Sequence, residues 1–337
     1  MADLEHFKRY GWSCNEANLN TLPPTAPKAA KDLAKWLTLE GRRSSLAEWL
    51  GVLAEDRRIH GKFWNIGAWT QRMSHSKPNS ANIPAILDRE PTTAVEEVKY
   101  KYNGAMRECF TVPEGSWLVG TDADGIQLRI LTHYMKSEDY REAILKGDKD
   151  LGTDIHSVNK KSLGPICKGR DEAKTFIYAW LLGAGLPKIG NILDCTVPQA
   201  KRAEQDFLTA IPDLDRLKKS TIPRDARRGY FIGLDGRKVQ WDKEHGMLAG
   251  YLQCGEAVVM KMAALKWVRW ARQAGLKFKF VNFVHDEWQV EVEGSHMEAT
   301  YLGYLQCKAI EEVGVELDLF CPLAGSTKIG KNWKETH

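Results

Sequence analysis

Alternating apolar residues predict two β-structured segments. Residues 116–122 are mostly apolar and end at Asp122, which is the pattern of a buried strand closed by a carboxylate. Residues 278–292 predict a strand, a tight turn and a second strand, because the apolar residues recur at every second position, namely Phe278, Phe280, Trp288, Val290 and Val292. The turn contains His285, Asp286 and Glu287.

Helical spacing of apolar residues predicts the longest elements. The segments concerned are residues 28–50, as one or two helices, and residues 125–135, 170–183 and 248–274. Glycine is the residue that most often follows a helix, and Gly183 and Gly275 stand at the ends of two of these segments. We expect further helices to continue to about residue 221.

The segments between these elements are rich in turn residues. Residues 22–27 contain three prolines and predict a linker, and residues 59–91 predict irregular loops. Residues 230–239 predict a hairpin that turns at Asp235 and Gly236.

Composition places the chain among ordinary globular proteins. Its 337 residues are 43% apolar and 27% charged, which excludes wholesale disorder and suffices for a large core. The 48 Lys and Arg residues exceed the 44 Asp and Glu residues, so the net charge of +4 permits a nucleic-acid partner without requiring one.

Cysteine spacing and the absence of long apolar runs bear on the compartment. No two of the seven cysteines lie closer than fourteen positions, so the chain has no CxxC pair. The first ten residues lack the apolar run of a signal peptide, and the uncharged part of residues 175–187 is too short to cross a bilayer. We therefore expect a cytoplasmic protein without membrane contact.

Two acidic residues are candidates for metal binding. Asp122 closes a buried strand and Asp286 stands at the tip of an apolar hairpin. A carboxylate in such a place is costly unless it is paired, hydrogen-bonded or bound to a cation. Two of them together could hold two Mg²⁺ ions, the usual arrangement for phosphoryl transfer. The simpler interpretation of either acid alone is that it caps a turn or a helix.

One helix face carries a second candidate constellation. Arg170, Lys174 and Tyr178 are spaced by four and therefore share a face. Two cations and a phenol could grip a triphosphate and stack on a base, and His156 could add a phosphate donor. Such a face is also common on solvated helices. The P-loop-like segment GSTKIGK at residues 325–331 lacks the Ser or Thr that binds metal and the helix that must follow, so we interpret it as chance.

Taken in order, these segments resemble the motifs of family A DNA polymerases. TDADGIQLRIL at residues 121–131 is similar to the first catalytic motif, D-x-S-x-I/L-E-L-R. Residues 170–185 are similar to the nucleotide-binding helix, R-x-x-x-K-x-x-x-F/Y-x-x-x-Y-G, and VHDE at residues 284–287 matches the third motif.

Further segments extend the resemblance over residues 30–337. TQRMS at residues 70–74, with PN at 78–79 and NIP at 82–84, is similar to T-G-R-L-S…P-N-L-Q-N-I-P, and LQ at 252–253 followed by Gly255 is similar to a further helical motif. The closest similarity is to the replicative polymerases of short-tailed lytic phages.

The resemblance implies an α+β fold. It predicts a palm with an antiparallel sheet, a helical fingers insertion and a partial thumb. The implied domains are an N-terminal segment with the partial thumb (1–58), the first part of the palm (59–139), the fingers (140–225) and the second part of the palm (226–337).

The resemblance also implies template-directed addition of dNMPs to a primer 3′-hydroxyl with two Mg²⁺ ions. Asp122, Asp286 and the backbone carbonyl of Ala123 would hold the metals, with Glu287 in support. Lys174 would donate a proton to the leaving pyrophosphate.

The remaining roles concern the nucleotide and the DNA. The nucleotide-binding residues would be Arg170, Lys174, Tyr178, His156, Gln127 and Leu182. The residues near primer–template DNA would be Arg72, Gln253, His285, Asn82 and Thr70. Tyr at position 178 implies acceptance of dideoxynucleotides.

The sequence departs from the family pattern at four positions. Gln127 replaces the Glu that excludes a 2′-hydroxyl, and Leu182 replaces the Tyr that bonds to that Glu. Since both partners change together, the pair is interpreted as compensated, and we expect ribonucleotides still to be rejected. Gln71 replaces a Gly, and Ala249 replaces an Asn that contacts the minor groove.

A further departure lies before Thr70, where only sixty-nine residues precede the first polymerase motif. We therefore expect no proofreading exonuclease in this sequence, and a separate chain that supplies exonuclease and thumb is one hypothesis. Two other functions stay open: a catalytically impaired DNA-binding or assembly subunit, and a related single-subunit RNA polymerase. Gln127 argues against the RNA polymerase, because a small residue is expected there.

Overall fold

A four-stranded antiparallel sheet with the strand order β6-β7-β3-β8 forms the centre of the computed structural model, which describes residues 14–87, 89–241 and 243–337. The four strands are Ser116–Ala123 (β3), Lys277–Val284 (β6), Glu287–Glu293 (β7) and Gly325–Gly330 (β8). Helices cover the sheet and form most of the remaining chain. The α+β fold with an antiparallel sheet is thereby confirmed.

Strand β3 is a central strand and is buried along most of its length. It pairs with β7, where Asp122 stands opposite Glu287, and with β8, where Asp122 stands opposite Ser326. The P-loop-like segment is therefore an extended strand, as expected of a chance match. Because β3 is paired on both sides, its last residues are held rigidly at one end of the sheet.

Strands β6 and β7 form the predicted hairpin. Val284 pairs with Glu287, so His285 and Asp286 are the two turn residues. His285 has φ +55°, in the left-handed region that a two-residue hairpin turn often requires. The predicted apolar face is present, since Trp288, Val290 and Val292 are all fully buried.

Two long helices cover this sheet. They are Met247–Gln273 (α12) and His296–Glu316 (α13), and they pack on each other. Trp267 of α12 lies 5.8 Å from Trp288 of β7 between ring centroids. Gly303 allows α13 to approach β8, because a Cβ there would lie 2.5 Å from the Thr327 methyl carbon. The long helix and its stop before Gly275 are as predicted.

Eight helices lie between β3 and the next strand in the described chain. They are Ile126–Met135 (α4), Glu138–Leu145 (α5), Ile155–Leu163 (α6), Arg170–Leu181 (α7), Leu186–Ile192 (α8), Val197–Ala210 (α9), Pro212–Arg216 (α10) and Ile222–Arg228 (α11). A π-helical turn, Leu217–Thr221, joins the last two. Helices thus continue to residue 228, slightly beyond the expected limit.

A short hairpin follows these helices. Its strands are Tyr230–Ile232 (β4) and Lys238–Gln240 (β5), which pair in antiparallel register. Gly236 has φ +79° in the connecting turn, which confirms the predicted turn position.

The N-terminal part of the described chain is mainly helical. Its helices are Glu16–Leu19 (α1), Lys28–Gly51 (α2) and Ala94–Glu108 (α3), and α2 packs on α3. The predicted helical segment is therefore one helix. Two short strands, Lys62–Trp64 (β1) and Ser74–Ser76 (β2), and a 3₁₀ turn, Ser80–Asn82, interrupt the segment that was predicted to be irregular. Within the described residues, no helix is long and apolar enough to span a membrane.

Candidate active site

The ends of β3 and of the β6–β7 hairpin bring Asp122 and Asp286 together. Asp122 stands opposite Glu287 in the sheet, and the backbone N–H of Ala123 donates to the backbone carbonyl of Asp286 at 3.0 Å. The two acids are therefore neighbours although they are far apart in sequence. The sheet register, rather than any local motif, places them side by side.

Both carboxyl groups are hard to ionise in the absence of a cation. Burial, followed by the negative charge of Glu287, raises the pKa of Asp122 to about 6. Burial, followed by Glu256 and Asp122, raises the pKa of Asp286 to about 7. Neighbouring carboxylates in a buried site disfavour each other's charge, so this pair gains from a bound cation.

Glu287 is held differently from its two neighbours. It is buried, and it accepts hydrogen bonds from Trp333 Nε1 at 2.5 Å, Gln289 Nε2 at 2.5 Å and His337 Nδ1 at 3.0 Å. Burial would raise the pKa of Glu287, but these hydrogen bonds outweigh burial and lower it. Glu287 is thus a fixed anion beside Asp122, and Trp333 and His337 are site residues that the sequence reasoning missed.

The face of α7 carries three of the predicted nucleotide-binding residues. Tyr178 is half-buried on α7, and burial, followed by the negative charge of Asp286, raises the pKa of its phenol. The Tyr178 ring centroid lies 6.0 Å from that of His156. Lys174 is exposed and makes no ion pair within the described ranges. The structure thus brings these predicted nucleotide-binding residues into one region.

Arg170 is already engaged by a carboxylate. Its Nη2 lies 2.7 Å from Asp154 Oδ2, and its Nε donates to both oxygens of that carboxylate at 3.1 and 3.2 Å. Asp154 also caps α6, where it accepts from the backbone N–H of His156. This partner could not be predicted from the spacing of residues within α7, because Asp154 lies outside that helix, at the N-terminus of α6.

His156 is neutral near pH 7. Burial, followed by the charges of Arg170 and Lys174, lowers the pKa of His156 to about 4. Its Nδ1 is buried without a partner among the described residues. His156 can therefore donate a hydrogen bond to an incoming anion but does not add a positive charge.

Glu256 links the two sides of the site. This residue of α12 is fully buried, and its Oε2 accepts from Arg72 Nη2 at 2.6 Å and from Gln127 Nε2 at 3.1 Å. Sequence reasoning missed Glu256. A signal was present, because Glu256 is the single carboxylate in the otherwise apolar run of residues 254–260. Burying a carboxylate is costly unless it has a partner.

The segment of residues 70–74 reaches the site through Arg72. Thr70 is buried, and Gln71 has φ +64°, a backbone conformation that favours glycine. Arg237 Nη2 donates to Gln71 Oε1 at 2.7 Å, and Lys261 Nζ donates to the Gln71 carbonyl at 2.5 Å. These two contacts hold the strained turn in place.

The other predicted site residues differ in their surroundings and exposure. Burial, followed by the charges of Arg72 and His75, lowers the pKa of His285 to about 4, so His285 is neutral. Gln253 is half-buried on α12, and Leu182 is 47% exposed at the end of α7. Asn82 is exposed in the 3₁₀ turn, and its side chain makes no hydrogen bond in the part of the chain that the structure describes.

The donor set fits hard divalent cations whose coordination is completed by a substrate. Among the described residues, no three His, Cys, Asp or Glu side chains form a closed metal site. Across the described chain, the Asp122 and Asp286 carboxylates accept no hydrogen bond from another residue's side chain, whereas three side-chain donors occupy Glu287. Mg²⁺ is typically bound by one or two carboxylates together with substrate phosphates.

The chain belongs to DNA polymerase family A, because the profile of that family matches residues 2–335. The DNA-directed DNA polymerase of Enterobacteria phage T3 is 33% identical over 339 residues, covering 92% of this chain and 46% of the phage protein. The corresponding protein of Escherichia phage T7 is 32% identical with the same coverage. The predicted similarity to phage polymerases is confirmed.

A solved structure shows the same fold. The POL domain of Pol1 from M. smegmatis, in complex with DNA primer-template and dNTP, has a TM-score of 0.80 and 21% sequence identity. The match covers 96% of this chain and 57% of that chain. The chain spans about half the length of the curated phage relatives it matches.

Proposed function

We propose that the protein is a template-directed DNA polymerase that adds dNMPs from dNTPs to the 3′-hydroxyl of a primer. The observation that carries the proposal is the convergence of Asp122 and Asp286, two carboxylates with raised pKa values at the ends of adjacent strands. A fold without catalysis has no need of two half-buried acids held side by side in this way. Family membership supports this function.

Asp122, Asp286 and the backbone carbonyl of Ala123 would hold two Mg²⁺ ions. When bound, such ions activate the attacking hydroxyl and neutralise charge on the phosphates. Glu287 would support the metal site as a further fixed negative charge next to Asp122. The hydrogen bonds from Trp333, Gln289 and His337 fix Glu287 for that role.

The face of α7 would bind the triphosphate. Lys174 is exposed and unpaired among the described residues, so its ammonium can reach a phosphate and give a proton to the leaving pyrophosphate. Arg170 would contribute charge while Asp154 orients its guanidinium, and His156 would donate a hydrogen bond as a neutral imidazole. Tyr178 would pack on the sugar and base, next to Leu182 and Gln127.

The primer–template would lie across Arg72, Gln253 and His285, with Thr70 and Asn82 supporting the segment that carries Arg72. Arg72 would donate to the acceptors of the minor groove, which all correct base pairs share. Because Arg72 is only 14% exposed and is tied to Glu256, its guanidinium is fixed before DNA arrives.

Primer extension with labelled DNA tests the proposal. Wild type should extend a primer with dNTPs in the presence of Mg²⁺, and Asp286→Asn should reduce the rate by at least about 10³-fold, the order of effect of a lost transition-state contact. The exposed Asp150→Asn serves as the matched control. Extension with rNTPs alone would favour the RNA polymerase, and DNA binding without extension would favour the assembly subunit.

We further propose that a separate chain supplies the thumb and the exonuclease. Helix α2 presents an apolar stripe to solvent, in which Trp36 is 59% and Leu50 is 73% exposed, together with Leu39 and Leu46. A stripe of this kind is typical of an interaction surface. Gel filtration and processivity assays with and without candidate partner chains test this: tight, processive and proofread synthesis by the 337-residue chain alone would contradict it.

A further inference from the structure

Glu256 is the most deeply buried carboxylate near the proposed active site. Its side chain is 0% exposed, and one oxygen, Oε2, accepts from both Arg72 and Gln127. The other oxygen, Oε1, has no partner among the described residues. A buried ionised carboxylate costs several kcal/mol unless it is paired, so the contact with Arg72 is needed to keep it there.

The same contact orients the amide of Gln127. Because Nε2 of Gln127 donates to Glu256, its Oε1 must face the other way, and that oxygen is buried without a partner in the described chain. The amide therefore has one defined orientation. Without Glu256, nothing else in the described contacts would hold the Nε2 group.

The backbone keeps Glu256 at this distance from Gln127. A Cβ on the preceding Gly255 would lie 3.1 Å from Cγ2 of Ile130, which is on α4, the helix of Gln127. Helices α12 and α4 are thus in close contact next to the network. Such contact leaves little freedom for Glu256 to retreat from Gln127.

We propose that Glu256 is a positioning residue that fixes Gln127 against the sugar of the incoming nucleotide and so sets the rejection of ribonucleotides. The inference rests on the proposed function, in which Gln127 borders that sugar. The Glu256 carboxylate acts through the amide of Gln127 rather than on the sugar itself. Arg72 shares the same oxygen, so the network also ties the sugar site to the primer-binding side.

The physical reason is steric. A Gln127 side chain held in one orientation occupies the space that a 2′-hydroxyl needs, whereas a freely rotating one can move aside. Loss of the hydrogen bond between Glu256 and Gln127 should therefore raise kcat/KM for ribonucleotides more than for deoxynucleotides. A loss of general packing would instead slow both substrates in parallel.

The test is the ratio of kcat/KM for dNTP over rNTP in single-nucleotide extension. Glu256→Ala should lower this ratio about tenfold or more, a change that corresponds to one lost positioning contact. Glu256→Gln should keep the ratio near wild type, because a single amide oxygen in the place of Oε2 can accept both donors. Cys254→Ala, a buried neighbour on α12, is the matched control and should leave the ratio unchanged.

A double-mutant cycle tests whether Glu256 acts through Gln127. Gln127→Ala should lower the ratio, and adding Glu256→Ala should lower it no further. If Glu256→Ala does not fold, Glu256→Asp replaces it, since that side chain keeps the charge but is one methylene too short to reach Gln127.

The outcomes are distinct. Three results would each overturn the role of Glu256. They are an unchanged dNTP/rNTP ratio in the Ala or Asp variant, a ratio in Glu256→Gln that falls as far as in Glu256→Ala, and additive effects in the double-mutant cycle. Absence of any extension by wild type would instead overturn the proposed function.

Discussion

Replacing Asp286 by Asn should stabilise the metal-free protein at alkaline pH. In the fold, burial and the charges of Glu256 and Asp122 raise the pKa of Asp286 from 3.8 to about 7. The folded state therefore binds the proton more tightly than the unfolded state does. Stability that the protonated carboxyl provides at low pH is lost as the pH rises from about 4 through 7.

The size of the effect follows from the same values. A tenfold change in proton affinity is worth about 1.4 kcal/mol, so the full rise corresponds to about 4 kcal/mol. Asp122 and Asp286 titrate as a coupled pair, so part of this free energy belongs to Asp122. We therefore expect Asp286→Asn to raise the free energy of unfolding by about 2–4 kcal/mol at pH 8. The gain should shrink towards zero near pH 4.

Urea unfolding in EDTA at several pH values between 5 and 8 measures this gain, with the exposed Asp150→Asn as control. At pH 8, Mg²⁺ at 100 times its Kd should then stabilise wild type by about 2.7 kcal/mol and the variant much less. A variant that is less stable than wild type at pH 8, or a difference that does not change with pH, would refute the reasoning.

Three further predictions concern other parts of the molecule. Arg58→Ala should cost about 2 kcal/mol, because Arg58 makes two hydrogen bonds to the buried Glu291 and, among the described residues, Lys279 alone would remain to pair with that carboxylate. Urea unfolding against the exposed Arg57→Ala measures this loss, and equal losses in the two variants would contradict it. Gly250→Ala should cost about 1–3 kcal/mol, since its Cβ would lie 2.7 Å from Cη2 of Trp69, which stacks on Trp241. Thermal unfolding measures this cost, and the control Gly41→Ala, in a helix interior with open space around it, should not destabilise the protein. Tyr178→Phe should lower incorporation of dideoxynucleotides relative to dNTPs about tenfold or more, the equivalent of about 1.4 kcal/mol. Chain-termination assays measure this ratio, and equal termination by wild type and the variant would show that the phenol is not involved.

Local patterns predicted the elements that carry their own periodicity. The strand before Asp122 and the hairpin around Asp286 were predictable because their apolar residues alternate and are buried. Helices α7 and α12 were predictable because helical spacing ends at glycine in both. Helices α3 and α13 and strands β1, β2 and β8 were not predicted. The three-residue strands β1 and β2 carry too little pattern to be recognised.

Residues of the candidate site were predictable only where they belong to a recognised sequence motif. Asp122 and Asp286 were expected to meet, and the sheet register places them side by side. The partners of the site residues could not be read from sequence, because they come from distant segments: Asp154 on Arg170, Trp333 on Glu287 and Glu256 on Gln127. Such partners depend on tertiary contacts, and a single sequence does not reveal them.

The most direct test of the central claim is a count of the divalent ions held by Asp122 and Asp286. Electron paramagnetic resonance of Mn²⁺ can be measured with primer–template and a non-hydrolysable dNTP bound to the protein. We predict two bound Mn²⁺ ions per wild-type chain and fewer in Asp122→Asn and Asp286→Asn, with Asp150→Asn unchanged. Equal Mn²⁺ binding by wild type and both variants would contradict the account.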